Sequence, residues 1–340
     1  MPIAADSQDD AARWRGADLP PDAGLLHLEK DHAARLAAFA RTWLASGRRY
    51  SEATLADLDC DGIWPVAKQA LAQMRSGIGF AVLRGIDART VTLEESEVIV
   101  WLLGLHLGVP VSQNAAGELV CHVVDKGVGK HELDRRGYAG RGAMDFHNDR
   151  TDIVGLFCYR KAKRGGESTL ISALAMHEAI RRERPDIMPI LRSGFEYDRR
   201  GEQGPGESPI GPRVPVFDVT GATVSCRFAR AHIDAAYRRR GVPPPDEEKE
   251  ALDAVDAVLA RPDLRFTTTL QEGDIQFLNN YTVLHARNDY EDHDDVAEKR
   301  RMLRLWLVTE ELRSFEQPQV MRFGRIYGNL GVSAAGVQVG

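Results

Sequence analysis

Three H-x-D tripeptides stand in the chain: His147-Asn148-Asp149, His232-Ile233-Asp234 and His293-Asp294-Asp295. Two imidazoles and one carboxylate can grip one face of a divalent metal and leave the remaining positions open to exogenous ligands. H-x-D alone is a weak signal, since among ten histidines roughly one match arises by chance at average composition. Local geometry separates the three. In a strand, residues i and i+2 project from the same face, whereas in a helix they diverge by about 200°. His232 sits in a stretch that reads as helix or loop, and His293 sits in an acidic, solvated turn with no histidine after it. His147 shortly precedes the apolar run Ile153–Tyr159, and a further histidine, His285, lies far downstream. His147, Asp149 and His285 are therefore the candidate metal ligands. His285 taken alone reads as an ordinary hydrogen-bonded core residue.

The residues after His285 change that reading. Lys299 to Val308 reads as a strand, with Arg300, Met302, Arg304 and Trp306 on one face and Arg301, Leu303, Leu305 and Leu307 on the other. Two arginines on a face shared with a tryptophan need acidic partners if they are buried. Either internal carboxylates meet them, or they bind an anionic ligand through the planar guanidinium fork.

Several elements are needed to position these groups. Leu36, Phe39, Ala40, Trp43 and Leu44 make one apolar face of a helix over 31–46. Residues 78–83 read as a buried strand, and Thr92 with Glu95 is a capping box that opens a helix to about Leu107. From Gly142 onward the texture is mainly of strands: Ile153–Tyr159, Ser168–Ser172 after the Gly165-Gly166 turn, a hairpin of Val214–Val219 and Ala222–Phe228, then Phe266–Leu270, Asp274–Leu278 and Met302–Thr309. Residues 199–213 hold four Gly and three Pro, so an irregular, lid-like loop is expected there. Arg199 and Arg200 in it are candidate substrate contacts, as are Gln113 and Asn114 ahead of the strands. A helical insertion is expected at about 229–262. Residues 1–22, polar and rich in Ala, Asp and Pro, read as a flexible tail. The rest, 23–340, reads as one domain with its strand-built core at about 140–310. The fold class expected is mainly β with flanking helices (α+β), and the pattern departs from a regular βαβα alternation.

Composition removes other functions. The chain has 340 residues, 43% hydrophobic and 28% charged, with a formal net charge of -6. An acidic balance argues against nucleic-acid or anionic-membrane partners. No run approaches the roughly 20 apolar residues that span a bilayer, and the N-terminus lacks a signal-like apolar stretch, so a cytoplasmic protein with a small-molecule partner is expected. The cysteines, Cys60, Cys121, Cys158 and Cys226, form no C-x-x-C pair. There is no phosphate-binding glycine loop and no nucleophile elbow.

The chain resembles the taurine dioxygenase (TauD/TfdA) family of iron(II)- and 2-oxoglutarate-dependent oxygenases over about residues 78–310. The resemblance rests on His147-Asn148-Asp149, Gly165-Gly166-Glu167-Ser168, Gly273-Asp274 leading to Asn280 and His285, and Arg300-Arg301-Met302-Leu303-Arg304-Leu305-Trp306. It implies a double-stranded β-helix (jelly-roll) core, with iron(II) on His147, Asp149 and His285. It also implies that Arg300, assisted by Ser168, clamps the distal carboxylate of 2-oxoglutarate, with O2 as the second co-substrate. Arg304 would lie deeper on the same face, where relatives that use sulfonates meet the substrate's anionic group. Relatives are often dimers or tetramers, so a homo-oligomer is an expectation. Halogenating relatives replace the carboxylate with a small residue, so Asp149 points to hydroxylation, with succinate and CO2 released. Desaturation or cyclisation stay open, as do a non-catalytic jelly-roll binder of a metal or organic acid and a zinc hydrolase using the same triad.

Overall fold

The computed structural model describes residues 11–58, 63–114, 116–125, 140–220, 223–312, 331–332 and 338–339. Two sheets face each other. The larger runs in the order Leu25–His27, Phe80–Arg84, Ile275–Asn279, Ile153–Arg160, Arg301–Val308 and Val109–Pro110, with Val120–Val123 also paired to Arg301–Val308. The smaller runs Phe266–Thr268, Ser168–Ser172, Val283–Arg287, Met144–His147. Together they form the jelly-roll core of a mainly β, α+β protein.

Strand alternation decides what lines the space between the sheets. On Arg301–Val308, Leu303, Leu305 and Leu307 point outward into a cluster with Leu36, Trp43, Met74, Val98 and Leu102 from the helices Lys30–Ala45, Trp64–Ser76 and Leu93–Leu105. Burying each such leucine contributes about 1.5–3 kcal/mol, which binds the helical layer to the outside of the larger sheet. Met302, Arg304 and Trp306 point inward, and Trp306 joins Val154, Leu170, Leu278 and Val283 in an apolar plug. The smaller sheet is backed the same way. Ile171 and Leu284 pack outward on the helices Ala173–Glu183 and Asp246–Leu259. The Thr92 capping box forms: the Thr92 hydroxyl accepts from the Glu95 N–H (3.1 Å) and the Glu95 carboxylate from the Thr92 N–H (3.0 Å).

Some expectations are corrected. The N-terminal tail is shorter than expected. Trp14 is buried, edge-on to Phe80 (5.9 Å) and Phe266 (6.5 Å), and its indole donates to the Ile78 carbonyl (2.7 Å). Its apolar ring outweighs the polar composition around it; residues 1–10 lie outside the described residues. The 199–213 segment is not irregular throughout. Ile210–Val214 is a strand paired with Phe195–Asp198, and the turn between them is tied down by Arg199–Glu207 (2.7 Å) and a buried Arg150–Glu202 ion pair. The hairpin of 214–228 is shorter than expected, Phe217–Thr220 with Thr223–Cys226; its Gly221-Ala222 turn lies outside the described residues, as does Cys60. Cys121, Cys158 and Cys226 are buried thiols. Residues 229–262 carry two helices, Arg230–Arg240 and Asp246–Leu259.

Candidate active site

His147 ends the Met144–His147 strand, and His285 sits directly opposite it in the middle of Val283–Arg287. Cross-strand neighbours lie about 4.5–5.5 Å apart, and the two imidazole centroids here are 4.3 Å apart. Asp149 follows where the chain leaves the strand. Its carboxylate oxygens lie 3.7 Å from His147 Nε2 and 3.8 Å from His285 Nε2. One donor atom from each of the three residues falls within 4.8 Å of the others, a group able to hold a metal ion.

The chemistry of the donors suits that role. The His147 Nδ1 is 2.9 Å from the Asp145 carbonyl. A carbonyl only accepts, so Nδ1 carries the proton and the Nε2 lone pair is turned toward Asp149. Burial, reinforced by His147, pushes His285 down to about 3, so its imidazole is neutral and able to ligate. Burial on its own would raise the Asp149 carboxyl. Arg304, His285, His147 and the Trp306 indole outweigh it and hold the group below the usual carboxylate range. Asp149 is thus an anion in a dry site, as a metal ligand must be.

A loop after a strand would not hold Asp149 still unaided. Asn148 and Asn280 supply the missing bonds. The Asn148 side chain donates to the Asn280 (2.8 Å) and Val283 (3.1 Å) carbonyls and accepts from the Phe228 N–H (2.9 Å). Asn280 accepts from the Asp149 N–H (2.9 Å) and donates to the Asp149 and Thr151 carbonyls. Both are buried, so an unmade bond there costs about 1–3 kcal/mol. Neither role is legible in the local sequence. Asn148 alternates away from the ligands it separates, and nothing local indicates that three distant segments converge on it.

Arg304, Gln113 and Trp306 fix the carboxylate from the other sheet. Arg304 Nη1 reaches Asp149 Oδ2 at 3.4 Å, Trp306 Nε1 donates to the same oxygen at 3.0 Å, and Arg304 Nε donates to Gln113 Oε1 at 2.7 Å. Gln113 in turn donates to the Arg304 (2.6 Å) and Leu119 (2.9 Å) carbonyls. Arg304 and Gln113, expected to meet substrate, brace Asp149 with these atoms. Asn114 instead closes a local turn, accepting from the Ala116 and Glu118 N–H groups, and Arg199 is paired with Glu207. The other two H-x-D histidines are not in the cluster. His232, in the Arg230–Arg240 helix, lies 3.0 Å from the Asp198 carbonyl and is driven to about 3 by burial and nearby Arg200. His293 lies in a connection outside the sheets.

Arg300 precedes the Arg301–Val308 strand and is buried, with its guanidinium carbon 5.1 Å from the Tyr290 ring centroid. Its Nη1 has no hydrogen-bond partner among the described residues, although desolvation pushes its pKa down. Gly166 (φ +75°) lets the chain pass close by: a Cβ there would sit 3.2 Å from Arg300 Nε. Ser168 is buried on the adjoining strand. A buried cation with an unused donor fits an absent carboxylate better than a structural ion pair.

Residues 48–306 match the family described as Taurine catabolism dioxygenase TauD, TfdA family. The chain belongs to that family. It is an iron(II)- and 2-oxoglutarate-dependent dioxygenase that uses O2. A relative named FR-33289 synthase, from Streptomyces rubellomurinus, is 34% identical over 251 residues, covering 73% of this chain and 74% of that protein. A taurine hydroxylase-like protein, SAT17, from Stachybotrys chartarum is 29% identical over 69% of this chain and 62% of its own. Solved structures share the fold. An asparagine oxygenase in complex with Fe(II), 3-hydroxyasparagine and succinate has TM-score 0.65 at 18% identity, over 84% of this chain and 94% of its own. The non-heme iron oxygenase OrfP with Fe and alpha-ketoglutaric acid has TM-score 0.62 at 17% identity, over 85% and 96%. Among the described residues, no helix is long and apolar enough to cross a membrane.

Proposed function

We propose that His147, Asp149 and His285 hold the iron(II), that Arg300 with Ser168 receives the distal carboxylate of 2-oxoglutarate, and that the enzyme hydroxylates a C–H bond of a small anionic substrate. The observation that carries the reading is the half-buried His147–Asp149–His285 cluster. Two imidazoles and one anionic carboxylate are the facial donor set of oxygen-activating iron centres. When bound there, the metal and 2-oxoglutarate supply the oxidising power, with succinate and CO2 as by-products.

The chain's own groups have separate tasks. Trp306 and Arg304 hold the Asp149 carboxylate in one orientation, and Asn280 fixes its backbone. The apolar plug of Val154, Leu170, Val283 and Trp306 closes the far end of the barrel to water. Arg227 is fully buried, brought down to about 10 by burial, and feels Asp149 as a carboxylate neighbour. With Arg304 on the same carboxylate, guanidinium groups gather on this side of the site, which suits an acidic substrate.

Two measurements test this. Anaerobic addition of iron(II) and 2-oxoglutarate should give a visible charge-transfer band in the wild type and none in Asp149→Ala, which should also lose iron-dependent succinate formation. Undiminished turnover by that variant would remove Asp149 from the metal site. In a substrate screen, small acids should stimulate succinate release and their amides should not; the reverse preference defeats the anionic reading.

A further inference from the structure

The inner face of Val283–Arg287 continues past His285 to Arg287, which lies opposite Ser168 in register. Arg287 is 7% exposed. Its Nη2 donates to the Gly140 (2.7 Å) and Gly142 (2.5 Å) carbonyls, while Nε and Nη1, both buried, have no hydrogen-bond partner among the described residues. Arg300 approaches from the other sheet at 4% exposure with Nη1 in the same condition. Both guanidinium carbons rest against the Tyr290 ring, at 4.9 Å for Arg287 and 5.1 Å for Arg300, and the buried Tyr290 hydroxyl, beside Arg300, makes no hydrogen bond of good geometry among the described residues.

Two like charges held this close repel, and each unmet buried donor adds a desolvation cost. The neighbouring carboxylates relieve them only in part. Asp292 favours the charged Arg300 and accepts from its backbone N–H (2.6 Å), but forms no ion pair with either guanidinium among the described residues, and Asp125, which favours the charged Arg287, is paired with Arg141 at 2.6 Å. Unused donors from two guanidiniums and a phenol, with the Ser168 hydroxyl beside them, call for an acceptor with two oxygens that one arginine alone would not saturate.

We infer that Arg287 and Tyr290 join Arg300 in a two-arginine recess for the distal carboxylate of 2-oxoglutarate, and that Arg287 sets the site's preference for a diacid. This rests on the reading of Arg300 given above. It goes beyond it by assigning a second cation on the His285 strand, which ties co-substrate grip to the strand that carries a metal ligand.

The test compares anaerobic binding of two 2-oxo acids to the iron(II)-loaded protein by calorimetry. 2-Oxoglutarate carries the distal carboxylate, and 2-oxopentanoate has the same chelating end without it. Arg287→Met should weaken 2-oxoglutarate binding about 10- to 100-fold, the usual range for a charge-assisted hydrogen bond, and leave 2-oxopentanoate unchanged. Arg287→Lys, which retains charge and fold, and Tyr290→Phe should each cost about 3- to 10-fold, again for 2-oxoglutarate only. If Arg287→Met fails to fold, the lysine variant decides. Unchanged 2-oxoglutarate affinity in the arginine variants, or an equal loss for both acids, overturns the inference and leaves Arg287 as a strut for Gly140 and Gly142. A wild-type protein that binds neither acid overturns the metal-centre reading itself, and the recess with it.

Discussion

Arg300 and Arg304 are four residues apart, the first just ahead of the Arg301–Val308 strand and the second on its inner face, and their situations differ. Arg304 sits on a carboxylate: its Nη1 reaches Asp149 at 3.4 Å, its Nε donates to Gln113 at 2.7 Å, and the Trp306 ring lies 5.0 Å from its guanidinium carbon. Arg300 is equally buried but makes no ion pair among the described residues, and a second arginine with unused donors, Arg287, lies close by. A buried arginine whose charge rests on an internal carboxylate braces that carboxylate. One that reaches no carboxylate marks where a ligand's charge belongs. Residue type and strand position do not distinguish the two; only the carboxylate partner does.

The comparison breaks most readily on stability. Arg304→Met leaves the Asp149 carboxylate buried with fewer partners, and losing one member of a buried pair typically costs about 3–5 kcal/mol. Arg300→Met removes a desolvated charge that has no ion-pair partner among the described residues, so its unfolding free energy in metal-free protein should move by less than about 1 kcal/mol, while its 2-oxoglutarate affinity falls. Urea unfolding of both variants, paired with 2-oxoglutarate titration, reads this directly. Equal stability losses would erase the distinction.

A smaller effect is expected at the Asp149 backbone. Asn280→Ala deletes an acceptor and two donor bonds and should cost about 2–3 kcal/mol, with iron affinity falling alongside. Loss of stability without loss of iron affinity would show that Arg304 and Trp306 suffice to orient the carboxylate.

The smallest effect lies away from both arginines. Burial lowers His106, beside Trp64 at 5.3 Å, to about 4. Its folded pKa lies below the unfolded value, so the folded state binds this proton less readily. Its contribution to stability is present above pH 6.5 and is lost as pH falls toward 4, by about 2 kcal/mol after allowance for partial exposure. His106→Phe should flatten that limb of the stability-pH profile. An unchanged profile would place the acid sensitivity elsewhere, in the site itself.

The sequence by itself pointed to most element types and to His147, Asp149 and His285 as the candidate metal ligands. Period-two alternation on 300–308 placed Leu303, Leu305 and Leu307 against helices and Arg304 and Trp306 inward, because a strand offers only two faces and only one could be apolar. The same geometry singled out His147 and Asp149 over His232, which lies in a helix. Tertiary structure alone decided which arginine is spent. Gln113 and Arg304 are 191 residues apart, and no local pattern encodes that they neutralise one another's polar atoms. The roles of Asn148, Asn280, Arg287 and Tyr290 were hidden for the same reason: each depends on which buried donors find acceptors once distant strands meet. The tail shows the same limit, since Trp14 lies in a polar stretch that composition marks as loose, and its docking against Phe80 and Phe266 exists only where those two strands come together.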